Sequence, residues 1–356
     1  MALKVYSSDS SRQWEEPGAF EVAPGVFRIP LPLPGDSLRA VNVYLLLEDD
    51  QAILIDSGMY VPQARKRLKE SLDAIGVGLG DISEFLITHL HRDHYTQAVL
   101  LRDDFNGRIS LGAQERSSMK IIRERATSKD PTMVHDRYSQ LIECDAKYLI
   151  DILRDFEGDD GEIAGYYMMP DRWLEDGFSI ELANQTLNVI ATPGHTQGHV
   201  VFHDPNSKLL FAGDHVLPHI TPSIGLEPTR AALPLGDFLS SLRKVRLLPE
   251  SRLFPAHGPV VESMHNRIDE LLIHHDQRLA QASNLLSLGR STAHEVALGL
   301  PWTRRQVEFN ALDPFNQMLA VTETLFHLDL LVQQQRARLS IVDEVKHYEP
   351  FESSST

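Results

Sequence analysis

A chain of 356 residues with 42% apolar and 24% charged side chains has the composition of an ordinary globular protein and the length of one large domain or two average ones, which excludes a small single module and global disorder. Lys and Arg number 34 against 50 Asp and Glu, and a formal charge of −16 argues against general affinity for nucleic acid or anionic membranes. The single cysteine, Cys144, permits neither an intrachain disulfide nor a thiolate metal site.

Residues 1–20 form a polar leader without an apolar stretch of signal-peptide length, and no window of the chain reads as a membrane span, so a cytoplasmic address is expected. From Val26 onward, short apolar runs at 26–29, 41–47 and 52–55 predict strands, separated by turn signals at Pro34-Gly35-Asp36 and Glu48-Asp49-Asp50. A helix is predicted over 62–75, with Pro62 in its first turn and Leu68, Leu72 and Ile75 on one face. Phe85-Leu86-Ile87 predicts a buried strand, and strand signals recur at 109–111, 187–191, 200–202, 209–211 and 253–254.

Between 113 and 182 the pattern turns helical. Leu141, Ile142, Leu149, Ile152, Leu153 and Phe156 predict an amphipathic helix closed by the acidic run 151–162, a solvated helix end and loop. A long helix is predicted over 261–288, with Met264, Ile268, Leu271, Leu272, Leu279 and Leu286 on one side and Gly289 as its stop. A short helix, a second helix over 315–334 and a strand-like run at 338–342 complete a mainly helical, winged-helix-like region, 261–350. Strands alternating with helices predict an α/β architecture with sheet inside and helices outside.

The 16 histidines carry the chemistry. Four motifs each follow a strand signal: His89-Leu90-His91-Arg92-Asp93-His94, Thr192-Pro193-Gly194-His195-Thr196, Gly213-Asp214-His215 and Pro255-Ala256-His257-Gly258. Loops at strand ends are where α/β sheets place ligand-binding side chains, and the adjoining Gly and Pro mark tight turns. Imidazole and carboxylate without thiolate form a donor set for Zn²⁺, Fe or Mn²⁺. His89, His91, Asp93, His94, His195, Asp214 and His257 supply enough donors for two ions about 3.5–4 Å apart, with one carboxylate shared.

Together these motifs resemble the metallo-β-lactamase superfamily, and Ile53-Leu54-Ile55-Asp56-Ser57-Gly58 is similar to its strand and turn upstream of the metal loop. The resemblance covers about residues 20–260. It implies a four-layer αβ/βα sandwich as a catalytic domain, with a dinuclear metal site at one edge and a supporting role for Asp56. It further implies His89, His91 and His195 on the first metal, Asp93, His94 and His257 on the second, and Asp214 as the bridge. The long interval between His89 and His195 places a helical, lid-type insertion at 113–182. Asp93, His94 and Tyr95 are the candidate catalytic residues. Tyr95 stands where the family usually has small residues; it is a candidate to reach the substrate with its hydroxyl, and packing under the loop is the alternative. His215 and His219 are candidate donors supporting the ligands, and His199 reads as structural.

Two cations sharing one water would lower its pKa to about 7, giving hydroxide for attack on a carbonyl or phosphoryl centre. Zinc is the expected metal, with Fe and Mn as alternatives. The expected activity is hydrolysis of an ester, thioester or lactone, with Tyr166, Tyr167, Met168, Met169 and Trp173 suited to an acyl chain. The alternatives are a phosphodiesterase or ribonuclease, or a non-catalytic metal-binding regulator. Nucleic acid is disfavoured because the helix predicted over 315–334 contains no Lys or Arg and because 113–182 carries 9 basic against 16 acidic groups. A small acyl-type substrate is the expected partner, with homodimerisation open and no membrane.

Overall fold

The computed structural model describes residues 14–48, 51–127, 138–154, 164–183, 185–229 and 231–351. Seven strands, β1 (Phe20–Ala23), β2 (Val26–Pro32), β3 (Ala40–Glu48), β4 (Gln51–Ile55), β5 (Ile82–Ile87), β6 (Arg108–Gly112) and β7 (Arg172–Leu174), lie side by side in chain order. Pairing is antiparallel through β4 and parallel from β4 to β7. A second sheet has the order β12-β11-β10-β9-β8, built from β8 (Ser179–Glu181), β9 (Thr186–Ala191), β10 (Val200–Asp204), β11 (Leu209–Gly213) and β12 (Arg252–Pro255). Of its pairs only β11–β12 is parallel.

The layers follow from side-chain alternation. In β3, Tyr44 and Leu46 face the second sheet, where they join Val189, Phe202, Phe211 and Phe254, whereas Val41, Val43 and Leu45 face the other way. Both sets are buried, so a one-residue slip would exchange two different cores, and register is strongly specified. The outer face of the first sheet packs on α1 (Pro62–Asp73) and α2 (Arg92–Phe105) through Leu68, Leu72, Ala98 and Leu101. Further along the chain come α3 (Arg116–Thr127), α4 (Ser139–Glu143), α5 (Tyr148–Arg154), α6 (Pro234–Arg246), α7 (Met264–Ser287), α8 (Ala293–Leu298) and α9 (Pro314–Gln333). Phe238 and Leu242 of α6 and Ile268 and Leu271 of α7 cover the outer face of the second sheet at Val201, Leu210 and Leu253. These are the four layers of an αβ/βα sandwich, as expected.

The segment 113–182 differs from its sequence reading. The single amphipathic helix is two short ones, because the chain turns at Asp145 in the left-handed region (φ 64°), a conformation that Asp tolerates, and Ala146 N–H closes the turn on the Leu141 carbonyl. Leu141 and Leu149 then belong to the same apolar cluster as Leu325 and Phe326 of α9, so α4 and α5 brace the C-terminal region. Nor is the segment helical to its end: β7 and β8 are edge strands of the two sheets. Phe156 and the acidic run beyond 154 lie outside the described residues.

The long C-terminal helix starts at its Ser263 cap, whose hydroxyl accepts from Asn266 N–H, and the chain leaves it through Gly289 at φ 89°. Thr292 and Glu295 form a reciprocal capping box on α8. After α9 comes a hairpin of β13 (Ala337–Val342) and β14 (Val345–Pro350). Among the described residues no helix is long and apolar enough to cross a membrane.

Candidate metal centre

Four strand ends converge. Thr88 to His91 link β5 to α2, with His91 at the helix N-cap and Asp93 and His94 in the first turn; His195, Asp214 and His257 follow β9, β11 and β12. His89 Nε2, His91 Nδ1 and His195 Nε2 lie 3.0–3.2 Å from one another. Three nitrogens bound to one ion at about 2.0–2.1 Å would be separated by about 3.3 Å, so the tripod is nearly set for a cation. On the other side, Asp93 Oδ2 is 3.6 Å from His94 Nε2 and 3.4 Å from His257 Nε2.

Asp214 stands between the two groups. Its Oδ2 is 3.4 Å from His195 Nε2, while its Oδ1 is 3.4 Å from His257 Nε2 and 3.7 Å from His94 Nε2. His94 Nε2, His257 Nε2 and Asp214 Oδ1 are buried atoms without a hydrogen-bond partner among the described residues. Buried polar atoms left without partners and facing one another at this spacing fit cation binding and cost stability otherwise. All seven metal-ligand candidates are therefore brought together, in two groups joined by one carboxylate.

The outward nitrogens explain how the rings are aimed. His195 Nδ1 donates to the Ser223 carbonyl at 2.6 Å and His257 Nδ1 to the Ala40 carbonyl at 2.7 Å. His91 is reversed: its Nε2 donates to the Leu226 carbonyl at 2.8 Å, so Nδ1 faces the centre. His94 Nδ1 donates to Asp56 Oδ2 at 2.9 Å. Each bond takes up the outward N–H, so that the inward nitrogen is the one left to bind a cation once the ring is neutral. Asp56, at φ 57°, also accepts from the backbone N–H and hydroxyl of Thr88, so one carboxylate ties the β4 turn to the metal loop. We expect Asp56→Asn to weaken binding of the His94-side ion by about 10–100-fold in a chelator competition, with the far-ultraviolet spectrum unchanged. Equal affinity in the two proteins would disprove this role.

Tyr95 takes the packing alternative, and His215 departs from its sequence reading. Tyr95 is not at the substrate side. Its ring is fully buried in the apolar layer under α2, stacked on Tyr167, and its hydroxyl donates to the Met168 carbonyl. The cause is helical phase, since the residue next to His94 points about 100° around the helix into the core. His215 likewise makes no contact with the ligands: neither ring nitrogen has a partner among the described residues, and the ring packs edge-on to Phe238.

His199, read as structural, has a more specific place. The Asp214 backbone N–H donates to its Nε2 at 3.2 Å, its Nδ1 pairs with Thr192 Oγ1 at 2.8 Å, and its ring stacks on His89. Nothing in the spacing of Gly198-His199 signals this, because the contact joins β10 to the end of β11. Glu115 was missed as well. Its buried Oε1 accepts from Leu90 N–H and Thr196 Oγ1, joining the loop of His89 and His91 to that of His195.

The two halves differ in charge. Burial, with His94, His91 and His195 close by, pushes the His89 pKa well down, and burial and His91 lower His195 to about 4, so this tripod is neutral. Burial also opposes charge on His94, but Asp56, then Asp93 and Asp214, outweigh it and hold the pKa up at about 10. His257 is raised in the same way by Asp214 and Asp93. At pH 7 the metal-free second group therefore keeps protons that a cation must displace. We expect Zn²⁺ uptake to release at least one proton from this group, visible with an indicator dye, and its affinity to fall about tenfold per pH unit on acidification. Uptake without proton release would show that His94 is neutral before binding.

The model of the metallo-beta-lactamase superfamily matches residues 36–257, from the β2–β3 turn to the last candidate ligand, His257. The chain belongs to the metallo-beta-lactamase superfamily. A probable metallo-hydrolase of Bacillus subtilis, YqjP, is 27% identical over 330 residues, covering 86% of this chain and 92% of that one. A beta-lactamase-like protein 2 homolog of Caenorhabditis elegans is 24% identical over 279 residues, 77% and 76% of the two chains. Among solved structures, the metallo-beta-lactamase family protein TTHA1429 of Thermus thermophilus superposes with a TM-score of 0.70 at 26% identity, covering 92% of this chain and 99% of its own. A beta-lactamase domain protein of Burkholderia ambifaria gives 0.74 at 25%, covering 93% and 94%. Both structural matches extend past the family's core into the C-terminal helices. As a member of this superfamily, the protein is a metal-dependent hydrolase.

Proposed function

We propose that the protein hydrolyses an ester, thioester or lactone bond with two divalent cations, zinc in the first place, held by the seven ligands. The observation that carries the dinuclear reading is Asp214, whose two oxygens face two separate sets of buried donors. Two cations so held would supply Lewis acidity and an acidified water at neutral pH. Asp93 would hold the second cation together with His94 and His257 and help to orient a water there, while His94 is kept in place by Asp56. His89 and His195 stay neutral and so remain donors throughout.

Several features favour an acyl substrate. Tyr60 packs against Tyr166 with the rings tilted by 37° and their centroids 4.5 Å apart, and with the half-exposed Met168 and Met169 these form apolar surface next to α2. The overall charge of −16 disfavours a polyanion. Helix α9, where a nucleic-acid-reading helix would lie, is packed through Val321, Leu325, Leu328 and Leu331 and carries no Lys or Arg. A cytoplasmic address belongs to the same reading, with Cys144 buried and its thiol donating to the Val321 carbonyl.

The test is metal analysis of the purified protein, then a panel of aryl esters, thioesters, lactones and phosphodiesters. Two equivalents of zinc and turnover of acyl substrates are expected. Turnover confined to phosphodiesters, or none with metals in place, would overturn it.

A further inference from the structure

Between the segment 219–224 and the C-terminal helices lies a cavity of about 530 Å³, within the size range of small-molecule sites. Its walls combine apolar groups, among them Ile224, Leu271 and Leu319, with His274, Arg278 and Glu323. None of the seven ligand candidates of the metal centre lines it, yet it shares a wall with that centre. Ser223, whose carbonyl holds His195, is in the lining, and so is His219, which sits beside Gly258, the residue after His257.

Arg278 of α7 is the unusual group. Its side chain is 7% exposed, and its guanidinium lies over the Trp302 ring, 4.4 Å from the centroid. Nη1 donates to the Pro301 carbonyl at 2.9 Å and, at 3.5 Å, to Gln281 Oε1. Among the described residues, Nε and Nη2 have no partner and no carboxylate reaches ion-pair distance; Glu323 acts on the charge only from farther off. A buried guanidinium is normally paired, because desolvation penalises a lone charge. The unused pair, Nε and Nη2, is moreover the edge whose two parallel N–H groups match the two oxygens of one carboxylate.

We propose that this cavity receives the acyl part of the substrate and that Arg278 pairs through Nε and Nη2 with a carboxylate on it. The substrate class is thereby narrowed to an ester, thioester or lactone whose acyl chain carries a carboxylate at its far end. Apolar walls accommodate the methylene chain and the Trp302 face keeps the guanidinium flat; of the other two arginines in the lining, Arg267 is already bonded to the Leu217 and Ile220 carbonyls and to Glu270, and Arg304 is exposed. The position next to the reaction rests on the acyl-hydrolase reading; the anion site itself does not.

Two measurements separate these. The first is calorimetric titration of the metal-loaded protein with glutarate, using glutaramide as the uncharged control. Glutarate should bind, glutaramide should not, and Arg278→Met should weaken glutarate by about tenfold or more, a loss that carboxylate binding at the metals would not show. Arg278→Lys keeps the charge and stem but lacks the fork, and should give an intermediate loss should the Met variant fold poorly. The second is the ratio of kcat/KM for mono-p-nitrophenyl glutarate over p-nitrophenyl butyrate, expected at about ten or more in the native protein and near one in Arg278→Met. Glutarate affinity equal in native protein and both variants, or a ratio indifferent to Arg278, would overturn the carboxylate subsite while leaving acyl hydrolysis intact. Arg278-dependent glutarate binding without turnover of either ester would support the subsite and count against the acyl-hydrolase reading.

Discussion

Asp214→Ala is expected to empty both halves of the metal centre and to lower kcat/KM by at least about 10⁴, equivalent to about 5.5 kcal/mol of transition-state stabilisation. The size of the effect follows from charge. Two divalent cations about 3.5 Å apart repel by roughly 20 kcal/mol at an effective dielectric of about 20, so a carboxylate between them offsets a repulsion that no neutral imidazole can. Asp214 is the group placed to do this, since its Oδ2 faces the first tripod and its Oδ1 faces the His94 and His257 nitrogens. Asp93 reaches only the second group. Metal analysis of the variant should therefore show less than one equivalent, with turnover lost in proportion. A variant that keeps two ions and full activity would mean that the two halves hold their cations independently.

How far the site could be seen in the sequence depended on which contacts were local. His89, His91, Asp93 and His94 lie within six residues, and a strand end followed by one helical turn is enough to bring them together. The three distant ligand candidates were visible because each is framed by Gly or Pro at a strand end. Of the two places read for Tyr95, packing under the loop is the one found, because adjacency in sequence is not adjacency in space on a helix, where one residue turns the side chain from the cleft into the core. Glu115 and His199 act across strands and carry no local signature.

The fold shows a similar division. Strands with long apolar runs, such as β3 and β5, were legible, because burial on both faces leaves no polar alternation to blur them. The short edge strands β1, β7 and β8, of three or four residues, were not, and neither was α6, although Phe238, Leu242 and Val245 have helical spacing. In the helix read through 141–156, apolar spacing survived a break at Asp145, because α4 and α5 bury the same side of the chain against α9. Periodicity reports which side is buried; it does not report whether the backbone is continuous.

A large effect on folding is expected at Gly194, between Pro193 and the candidate ligand His195. Its φ is 138°, and a Cβ built there would lie 2.4 Å from Phe238 Cβ, 2.5 Å from its Cα and 2.6 Å from its N. These are atoms of α6 next to its backbone, so no side-chain rotation relieves the clash, and Phe238, Leu242 and Val245 anchor α6 in the core. The Gly194 carbonyl also accepts from Gly225 N–H, within the segment whose Ser223 and Leu226 carbonyls hold His195 and His91. Gly194→Ala should therefore combine backbone strain of about 1–3 kcal/mol with overpacking of about 1–3 kcal/mol. Urea unfolding should register a loss of roughly 2–5 kcal/mol, and displacement of the two carbonyls should weaken the first cation about tenfold or more. Gly177 separates the two contributions, because it has φ 79° with no atom within 4 Å of a built Cβ. Its replacement by Ala should cost only the strain, about 1 kcal/mol, and leave the metal centre untouched. If Gly194→Ala were no worse than Gly177→Ala in either measurement, the contact between the His195 loop and α6 would not be what holds that ligand in place.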